Sequence, residues 1–413
     1  MSRSMYRTIL GEDFPEEMEI AFGSGPDKQI LRYRKVRWSI DGTESGLRYG
    51  ENPDQPASLY RLENGNLILG DVHQIAPGRG LATHAELLQS GKHPSKINIT
   101  DVDAALGILR YFTEDPAVVI VKHNNPSGVA VGKDLSDAYT RALMADRIAA
   151  FGGTIAVNGE VSRELAELIT AYYAEVLVAP EYSAEALAVF ARRKNLRVLK
   201  IGAMDDLQAY RATRFVDFKS LIDGGLVAQW SFQPVDLTFD TLAPASTKHE
   251  GTTYTVERAP TAAEAADMRF GWFVESGVTS NSVIYVKDRC TVAIGTGEQD
   301  RVGVARIARD KAYWKTADRL AFSATGVGIE EIADTKEREF YLEEARGING
   351  GLRGSTMISD AFFPFRDGVE VGLQEGVSAV VQPGGALRDR DVIDAVNEYH
   401  ATMIFTGQRS FRH

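Results

Sequence analysis

The chain has 413 residues, enough for two or three domains of ordinary size. It is 44% hydrophobic and 25% charged, as in globular proteins. Its formal net charge of −11 argues against general nucleic-acid binding but not against a small anionic ligand, which needs only a local cluster of basic residues. The single cysteine, Cys290, excludes intramolecular disulfides and cysteine-rich zinc sites and favours a reducing, cytoplasmic location.

Residues 1–46 are polar and mixed, and we interpret them as an N-terminal extension. One or two strands are expected within residues 30–40, where β-forming residues are frequent. The first residues lack the apolar core of a signal peptide. No apolar run approaches the ~18 residues of a transmembrane helix, so no membrane partner is expected.

A loop is predicted next, from Leu47 to Tyr60 (LRYGENPDQPASLY), because Gly, Asn, Pro and Asp are dense there. Arg48 and Tyr49 lie within this loop. A planar guanidinium beside a phenol can clamp a phosphate. The alternative is a surface loop with an incidental arginine.

The sequence VVIVKHNNPSGVAVG predicts a buried strand that ends at Lys122 and His123. A short apolar run bounded by turn residues is typical of parallel strands, whose carboxyl ends hold the ligand sites of open α/β sheets. A histidine at that place can take up a proton near neutral pH and return it. The alternative is a solvated Lys-His pair at a strand end.

Helices and strands alternate around this motif, which predicts an α/β layered domain. Ser162 is an expected N-cap, Ser183 is expected to open the following helix, and the two glycines after Phe151 allow close backbone approach. The predicted helices cover residues 101–112, 134–146, 162–173 and 183–193, and the predicted strands cover 154–157, 175–179 and 196–201.

The second half of the chain is similar to the first. After a polar linker at residues 233–255 and a helix at 261–276, SVIYVK resembles AVVIVK, VAIG resembles VAVG, and SAVVQP resembles EVLVAP. We infer two copies of one α/β layer, with subdomains at 47–222 and 223–413, and a natural cleft between such halves.

Chemically suggestive side chains recur in the second half. Asn281 begins the SVIYVK strand, and Arg301 lies where a Gly-containing turn enters a helix. The stretch SDAFFPFRD places three phenylalanines around Pro364, which suits an aromatic wall for a flat ring. The chain ends in RSFRH, where Arg409 is a second phosphate candidate if the tail docks. Each of these features also has an ordinary structural explanation.

Taken in order, LRYGENPDQ, VKHNNPSGVAVG, AFGG, SNSV, SDAFFPFRD and RSFRH resemble 5-aminoimidazole-4-carboxamide ribonucleotide (AICAR) formyltransferase. This family forms the C-terminal half of a bifunctional purine-biosynthesis enzyme. The resemblance covers roughly residues 47–413. It implies an α/β fold of two tandem cytidine-deaminase-like subdomains, an internal duplication without the deaminase zinc site.

The resemblance implies transfer of a formyl group from 10-formyltetrahydrofolate to the 5-amino group of AICAR. Lys122 and His123 match the catalytic pair, and Asn281 would orient the substrate. Substrate-binding positions are matched by Arg48, Tyr49, Gly152, Glu175, Phe362, Arg409 and Phe411. Folate-binding positions are matched by Phe151, Arg301, Pro364, Phe365 and Asp367. A homodimer with sites at its interface, and the Arg48 loop reaching across from the partner, is also implied; a need for a monovalent cation stays open.

The chain departs from the family in several places. Asp54 stands where histidine is frequent, and Glu175 stands where some members have aspartate. The N-terminal inosine monophosphate cyclohydrolase domain has no counterpart in residues 1–46, so we expect a formyltransferase without ring closure. The alternatives are a purine-ribonucleotide enzyme of the cyclohydrolase type that does not use folate, and a non-catalytic nucleotide-binding protein.

Overall fold

A computed structural model describes residues 13–65, 67–69, 72–73, 80–238 and 242–413. Residues 1–12 of the predicted extension and 239–241 of the predicted linker lie outside this range. The described chain divides into two compact units, and each contains parallel strands, antiparallel strands and helices. The first unit holds the described residues of 1–124, 132–139 and 151–233, and the second holds those of 125–131, 140–150 and 234–413.

The first unit begins with short strands, as expected for residues 30–40. They are β1 (Glu17–Phe22), β2 (Gln29–Lys35), β3 (Trp38–Ile40), β4 (Thr43–Ser45), β5 (Tyr60–Gly65), β6 (Ile68–Leu69) and β7 (Val72–His73). β2 pairs with β1 and with β5 in an antiparallel sheet, and β3–β4 and β6–β7 form small hairpins.

The α/β elements follow in chain order. They are β8 (Glu86–Gln89), α1 (Lys96–Leu109), β9 (Ala117–Lys122), β10 (Asn125–Val131), α2 (Leu135–Ala145), α3 (Arg147–Ala150), β11 (Thr154–Val157), α4 (Arg163–Thr170), β12 (Val176–Ala179), α5 (Ala184–Phe190), β13 (Arg197–Lys200), β14 (Val216–Ser220) and β15 (Leu226–Trp230). The predicted alternation of helices and strands is confirmed in this region.

Within the first unit the sheet has the order β9–β11–β12–β13–β8. β11, β12 and β13 run parallel, whereas β9 runs antiparallel to β11, with Val121 opposite Thr154. The prediction of a parallel strand before Lys122 and His123 is therefore wrong. The apolar run at residues 117–121 shows that the strand is buried on both faces. A strand can be buried in this way whether it runs parallel or antiparallel to its neighbour. As a result, the Lys-His pair lies where β11, β12 and β13 begin.

Helix starts follow local capping chemistry. The Ser162 hydroxyl accepts from the Leu165 N–H, so the predicted N-cap is confirmed. Ser183 opens the next helix as expected, and its hydroxyl caps it by accepting from the Ala186 N–H. α1 begins at Lys96, earlier than predicted. Ser95 caps it, and the Asn98 side chain accepts in return from the Ser95 N–H at 3.0 Å. An asparagine in this role is less obvious in sequence than the usual Glu or Gln.

The second unit contains the remaining elements. They are β16 (Ser246–His249), β17 (Thr252–Thr255), α6 (Ala262–Glu275), β18 (Val283–Lys287), β19 (Cys290–Gly295), α7 (Arg301–Thr325), α8 (Thr335–Gly347), β20 (Thr356–Ser359), α9 (Arg366–Leu373), β21 (Ala379–Gln382), α10 (Asp389–Glu398) and β22 (Thr402–Phe405). The predicted linker at 233–255 contains the hairpin β16–β17 instead of being irregular throughout.

Within the second unit the strands have the order β10–β19–β18–β20–β21–β22. β18 is antiparallel to β19 and β20, whereas β20, β21 and β22 run parallel. β10 belongs here because Ala130 pairs with Cys290 of β19. Residues 125–131 and 140–150 thus pack with the second unit, although the predicted segment 47–222 contains them.

None of the helices in the described residues is long and apolar enough to cross a membrane.

Gly128, in the motif after the Lys-His pair, has no room for a side chain. A Cβ atom at this position would lie 1.9 Å from the carbonyl oxygen of Ala142. We expect Gly128→Ala to lower the free energy of unfolding by ~1–3 kcal/mol, the usual cost of overpacking. Urea unfolding measures this. Gly107→Ala in α1 is the matched control: nothing lies within 4 Å of its Cβ position, so it should be neutral or stabilising by up to ~1 kcal/mol. Equal effects of the two substitutions would contradict this packing.

Candidate active site

One set of predicted site residues lies at the edge of the first sheet where the parallel strands begin. We call it the amino-end cluster. Its members are the predicted residues Arg48, Tyr49, Lys122, His123, Phe151, Gly152 and Glu175, together with Arg197, which was not predicted, and all lie in the first unit. Lys122 ends β9, Phe151 and Gly152 precede β11, Glu175 precedes β12 and Arg197 begins β13. The antiparallel direction of β9 brings these four segments to the same edge.

Lys122 and His123 are held by different contacts. The Lys122 Nζ atom donates to the Phe151 carbonyl oxygen at 2.6 Å. His123 is exposed and has a left-handed φ of 55°, followed by Asn124 with 60°. Such a backbone is uncommon for histidine and is often kept where function requires it. The Asp101 carboxylate accepts from the Asn124 N–H at 2.7 Å and stabilises this turn.

Burial raises the pKa of the Asp101 carboxyl, even though the N–H groups of Asn124 and His123 donate to it and lower it. Asp101 therefore serves the turn as a hydrogen-bond acceptor beneath His123. Sequence reasoning missed it as part of the site, because it was assigned only to the start of a helix.

Gly152 lets the backbone pass close to a neighbouring side chain, as expected of the two glycines after Phe151. Its φ is 72°, and a Cβ atom would lie 3.3 Å from Cε1 of Tyr173. The Gly152 N–H donates to the Tyr173 carbonyl at 2.8 Å. The Phe151 ring is 63% exposed and lies 5.0 Å from the Tyr173 ring, centroid to centroid. An exposed aromatic ring at this edge can pack against a flat ligand.

Glu175 is half-buried at the centre of the cluster. Its carboxylate accepts from Tyr173 OH and from Asn98 Nδ2, both at 3.4 Å, and lies 4.0 Å from Nη1 of Arg197. Sequence reasoning missed Asn98, Tyr173 and Arg197. A charged residue at the start of the apolar strand RVLK was the available signal for Arg197.

Arg48 and Tyr49 are buried, with 6% and 8% exposure. Arg48 Nη2 donates to Tyr49 OH at 2.8 Å, and its guanidinium lies 4.5 Å from the centre of the Tyr49 ring. The Arg48 N–H donates to the Pro94 carbonyl, and the Lys96 N–H donates to the Tyr49 carbonyl, both at 2.9 Å. The resemblance implies that this loop reaches a partner chain; here its backbone is anchored by the chain's own residues at the start of α1.

A second set of predicted residues lies in the second unit, where β20, β21 and β22 end and β18 begins. We call it the carboxyl-end cluster. Its members are Asn281, Arg301, Phe362, Pro364, Phe365, Asp367, Arg409 and Phe411. This edge is the one at which α/β sheets usually hold ligands.

Arg301 is 9% exposed and is bonded on several sides. Its Nη1 donates to the Ser282 carbonyl at 3.0 Å and to the Asp360 carboxylate, and its Nη2 donates to Asn281 Oδ1 at 2.9 Å. Asn281 Nδ2 in turn donates to the Gln299 carbonyl at 2.8 Å. In this arrangement Arg301 orients the Asn281 amide and neutralises Asp360.

Glu275, the last residue of α6, is fully buried. Its Oε1 accepts from the Ser282 hydroxyl at 2.6 Å, while Oε2 has no hydrogen-bond partner among the described atoms. Burial, and then the nearby Asp360 charge, raise the pKa of Glu275 well above its usual value. Sequence reasoning missed this acid, although a glutamate at the end of the apolar segment FGWFVE was a signal.

The phenylalanines of SDAFFPFRD divide between core and surface. Phe363 is fully buried and its N–H donates to the Gln382 side chain, whereas Phe362 and Phe365 are 39% and 50% exposed. Asp367 is exposed in the first turn of α9. Two of the three rings are therefore available for the predicted aromatic wall.

The C-terminal tail docks on the same edge. The Ser410 N–H donates to the Asp360 carbonyl at 2.9 Å, and Ser280 and Arg412 exchange hydrogen bonds. The exposed Arg409 guanidinium lies 4.3 Å from the centre of the Phe411 ring. Docking of the tail holds Arg409, the predicted phosphate-binding candidate, in a defined place.

Within the described ranges, no group of three or more His, Cys, Asp and Glu side chains is arranged to hold a metal ion.

Comparisons with known proteins point to one family over most of the chain. The family model described as AICARFT/IMPCHase bienzyme matches residues 20–311. The bifunctional purine biosynthesis protein PurH of Agrobacterium fabrum is 40% identical over 369 residues, 89% of this chain and 58% of that protein. PurH of Acidithiobacillus ferrooxidans is 40% identical over 413 residues, 99% of this chain and 63% of that protein. PurH of Bacillus cytotoxicus is 35% identical over 404 residues, 98% of this chain and 62% of that protein.

The chain thus spans 58–63% of the length of these relatives. The matching model describes a bienzyme, and the relatives are named bifunctional. The expectation of a lone formyltransferase lacking the cyclohydrolase is therefore wrong, and the expected absence of ring closure has no support.

The raised pKa of Glu275 predicts a pH-dependent stability. A carboxyl that stays protonated in the fold but ionises when unfolded makes the fold less stable as pH rises above ~4.5. Glu275→Gln has no such proton. We therefore expect the stability of the native protein relative to this variant to fall by up to ~1.4 kcal/mol per pH unit between pH 5 and 8. Urea unfolding at both pH values measures this. The control is Glu160→Gln at an exposed position, where the difference in unfolding free energy between native protein and variant should be the same at both pH values. If the difference for Glu275→Gln is also the same at both pH values, Glu275 is ionised in the fold.

Proposed function

Because the chain belongs to the AICARFT/IMPCHase bienzyme family, we propose that it transfers a formyl group from 10-formyltetrahydrofolate to the 5-amino group of AICAR in purine biosynthesis. The observation that carries this proposal is the amino-end cluster. There a lysine, a histidine, an exposed aromatic ring and a buried Arg-Tyr pair lie at one sheet edge.

In the proposed reaction the 5-amino nitrogen attacks the formyl carbon bound to N10 of the folate. The new N–C bond forms, the bond from carbon to N10 breaks, and the amine loses a proton while N10 gains one. His123 takes the amine proton, directly or through the neighbouring carboxamide. The turn around Asn124 holds the histidine exposed for this step.

Lys122 is proposed to stabilise the oxyanion of the tetrahedral intermediate and to help protonate N10. The hydrogen bond from the Lys122 ammonium group to the Phe151 carbonyl supports this role. It holds the positive charge next to Gly152, where the backbone conformation allows close approach. An ammonium group fixed in advance costs little reorganisation when charge develops.

The proposed substrate-binding residues come from both clusters. Arg48, Tyr49, Gly152 and Glu175 are proposed to bind the nucleotide, together with Phe362, Arg409 and Phe411. Asn281 is proposed to orient it. The folate is proposed to pack on Phe151, Pro364 and Phe365, with Arg301 and Asp367 nearby. The contacts of Arg301 with Asn281 and Asp360 support a positioning role for this arginine.

The cytidine-deaminase-like duplication is also a proposal. It is supported by strand order, because β9–β11–β12–β13 and β18–β20–β21–β22 each consist of one antiparallel strand followed by parallel strands. A cytoplasmic location is proposed from the single cysteine.

The test is an assay of the purified chain with AICAR and 10-formyltetrahydrofolate, with tetrahydrofolate release and the nucleotide product both measured. We expect formyl-AICAR to form. His123→Ala should lower turnover by ~10²–10⁴, the usual contribution of a general base, while AICAR binding is largely kept. The partly exposed His249, changed to Ala, is the matched control and should leave turnover unchanged. Unchanged turnover in His123→Ala would remove the proposed base. Binding of AICAR without any reaction would favour a nucleotide-binding protein.

A homodimer whose sites take residues from both protomers is proposed from the resemblance. Mixing two inactive variants tests it: His123→Ala in the first unit and Asn281→Ala in the second. If each site combines the first unit of one protomer with the second unit of its partner, mixed dimers contain one intact site, and activity should return to roughly a quarter of the native value at most. No recovery after subunit exchange, verified by size and mass, would contradict shared sites.

A further inference from the structure

Glu275, at the end of α6, is a fully buried acid to which the proposed reaction assigns no role. The residues before it in the helix, Trp272, Phe273 and Val274, are also buried, and all three are apolar. The Glu275 Oε2 atom has no hydrogen-bond partner among the described atoms. Burying a polar oxygen without a partner costs stability, so an apolar side chain would suit the core better. The presence of an acid is therefore explained by what its other oxygen holds.

That other oxygen, Oε1, accepts from the Ser282 hydroxyl at 2.6 Å. Ser282 is fully buried and directly follows Asn281. Its backbone is held on both sides, because its N–H donates to Asp360 Oδ2 at 3.2 Å and its carbonyl accepts from Arg301 Nη1 at 3.0 Å. The bond from the hydroxyl to Glu275 is a further anchor, and it ties Ser282 to the end of α6.

The same contacts lead to the Asn281 amide. Arg301 donates through Nη2 to Asn281 Oδ1 at 2.9 Å, and Asn281 Nδ2 donates to the Gln299 carbonyl at 2.8 Å. An amide has two N–H donors and two lone pairs, so one donor and one lone pair remain for a ligand. Asn281 is half-buried, whereas Ser282 and Asp360 are fully buried. The amide is thus the place where a buried hydrogen-bond network reaches the surface.

The contact between Glu275 and Ser282 does not depend on charge. Arg301 donates to the Asp360 carboxylate, and burial, with the Asp360 charge next, raises the pKa of Glu275. A protonated carboxyl still has an oxygen that accepts from a hydroxyl. A glutamine, which has nearly the same shape, can accept through its amide oxygen in the same way. Leucine is similar in size but has no acceptor.

We propose that Glu275 is a positioning residue for Asn281: by holding the Ser282 hydroxyl, it keeps the Asn281 amide directed at the nucleotide. This inference rests on the function proposed above, in which Asn281 orients AICAR. Glu275 is fully buried, so it acts through Ser282 and not by contact with a substrate. A small displacement of an orienting group disturbs the approach of the amine to the formyl carbon more than it disturbs binding, because reaction requires a near-attack geometry. Turnover should therefore depend on Glu275 more than KM does.

The experiment separates turnover from stability in the full chain. Steady-state kinetics with AICAR and 10-formyltetrahydrofolate are measured beside urea unfolding. The main variant combines Glu275→Leu with Ser282→Ala and so removes both partners of the hydrogen bond. We expect its kcat to fall about 10- to 100-fold while both KM values stay within about threefold. Its urea midpoint should be unchanged or higher, because replacing both partners by apolar groups leaves no buried polar atom without a partner.

Glu275→Gln is the conservative variant, and it should keep kcat within about threefold of the native value because the acceptor for Ser282 is retained. Asp267→Asn is the matched control. Asp267 is a second buried acid of α6, and its carboxylate accepts from the N–H groups of Asp288 and Arg289 at 2.9 and 2.6 Å, at the other end of β18 from Asn281. This variant should lower the urea midpoint and leave kcat unchanged.

Three results would overturn the proposal. They are a kcat within threefold of native in the combined variant, an equal loss of kcat in Glu275→Gln, and an equal loss in Asp267→Asn. The last would mean that any replaced buried acid of α6 lowers activity through stability. If the combined variant does not fold, as judged by circular dichroism, Ser282→Ala alone decides by the same criteria.

Failure of the proposed function gives a different result. If the native chain forms no formyl-AICAR, the proposed function falls, and the side-chain amide signal of Asn281 becomes the readout. Proton–nitrogen correlation spectra of the chain labelled with 15N-asparagine show this signal, which is identified by its loss in Asn281→Ala. A shift of the signal in the combined variant, absent in Asp267→Asn, would still support positioning by Glu275. An unshifted signal would overturn it.

Discussion

The antiparallel pairing of β9 with β11 is the constraint on which the first unit's chemistry depends. It reverses the direction of the strand that carries Lys122 and His123, and so brings them to the start of β11 instead of its end. The Lys122 ammonium then meets the Phe151 carbonyl, and the same edge receives Glu175 and Arg197 from the following strands. With β9 parallel, the Lys-His pair would lie at the opposite edge from these groups.

The two clusters handle buried charge in different ways. In the second unit Arg301 is paired with the Asp360 carboxylate, and burial raises the pKa of Glu275 well above its usual value. The same arginine holds the Asn281 amide. In the first unit the buried Arg197 guanidinium lies 4.0 Å from the half-exposed Glu175 carboxylate.

Backbone conformation contributes as much as side-chain chemistry. Gly152 and the left-handed pair at His123 and Asn124 let the chain turn sharply at the sheet edge. Gly128 then allows the next strand to pass close to the Ala142 carbonyl. The motif VKHNNPSGVAVG therefore combines reactive side chains with residues selected for space, and its length is explained by both demands.

The sequence by itself determined the alternation of helices and strands, the caps at Ser162 and Ser183, and most of the polar residues at the two edges. These features depend on neighbours within a few positions, which the sequence displays directly. Only the tertiary structure decided the direction of β9, the grouping of β10 with the second unit, and the burial of Arg197 and Glu275. Each of these depends on partners far away in the chain: Val121 meets Thr154, Ala130 meets Cys290, and Arg197 lies 4.0 Å from Glu175. Hydrophobic periodicity records that a residue is covered but not which residue covers it, so strand direction and charge balance become visible only in the folded chain.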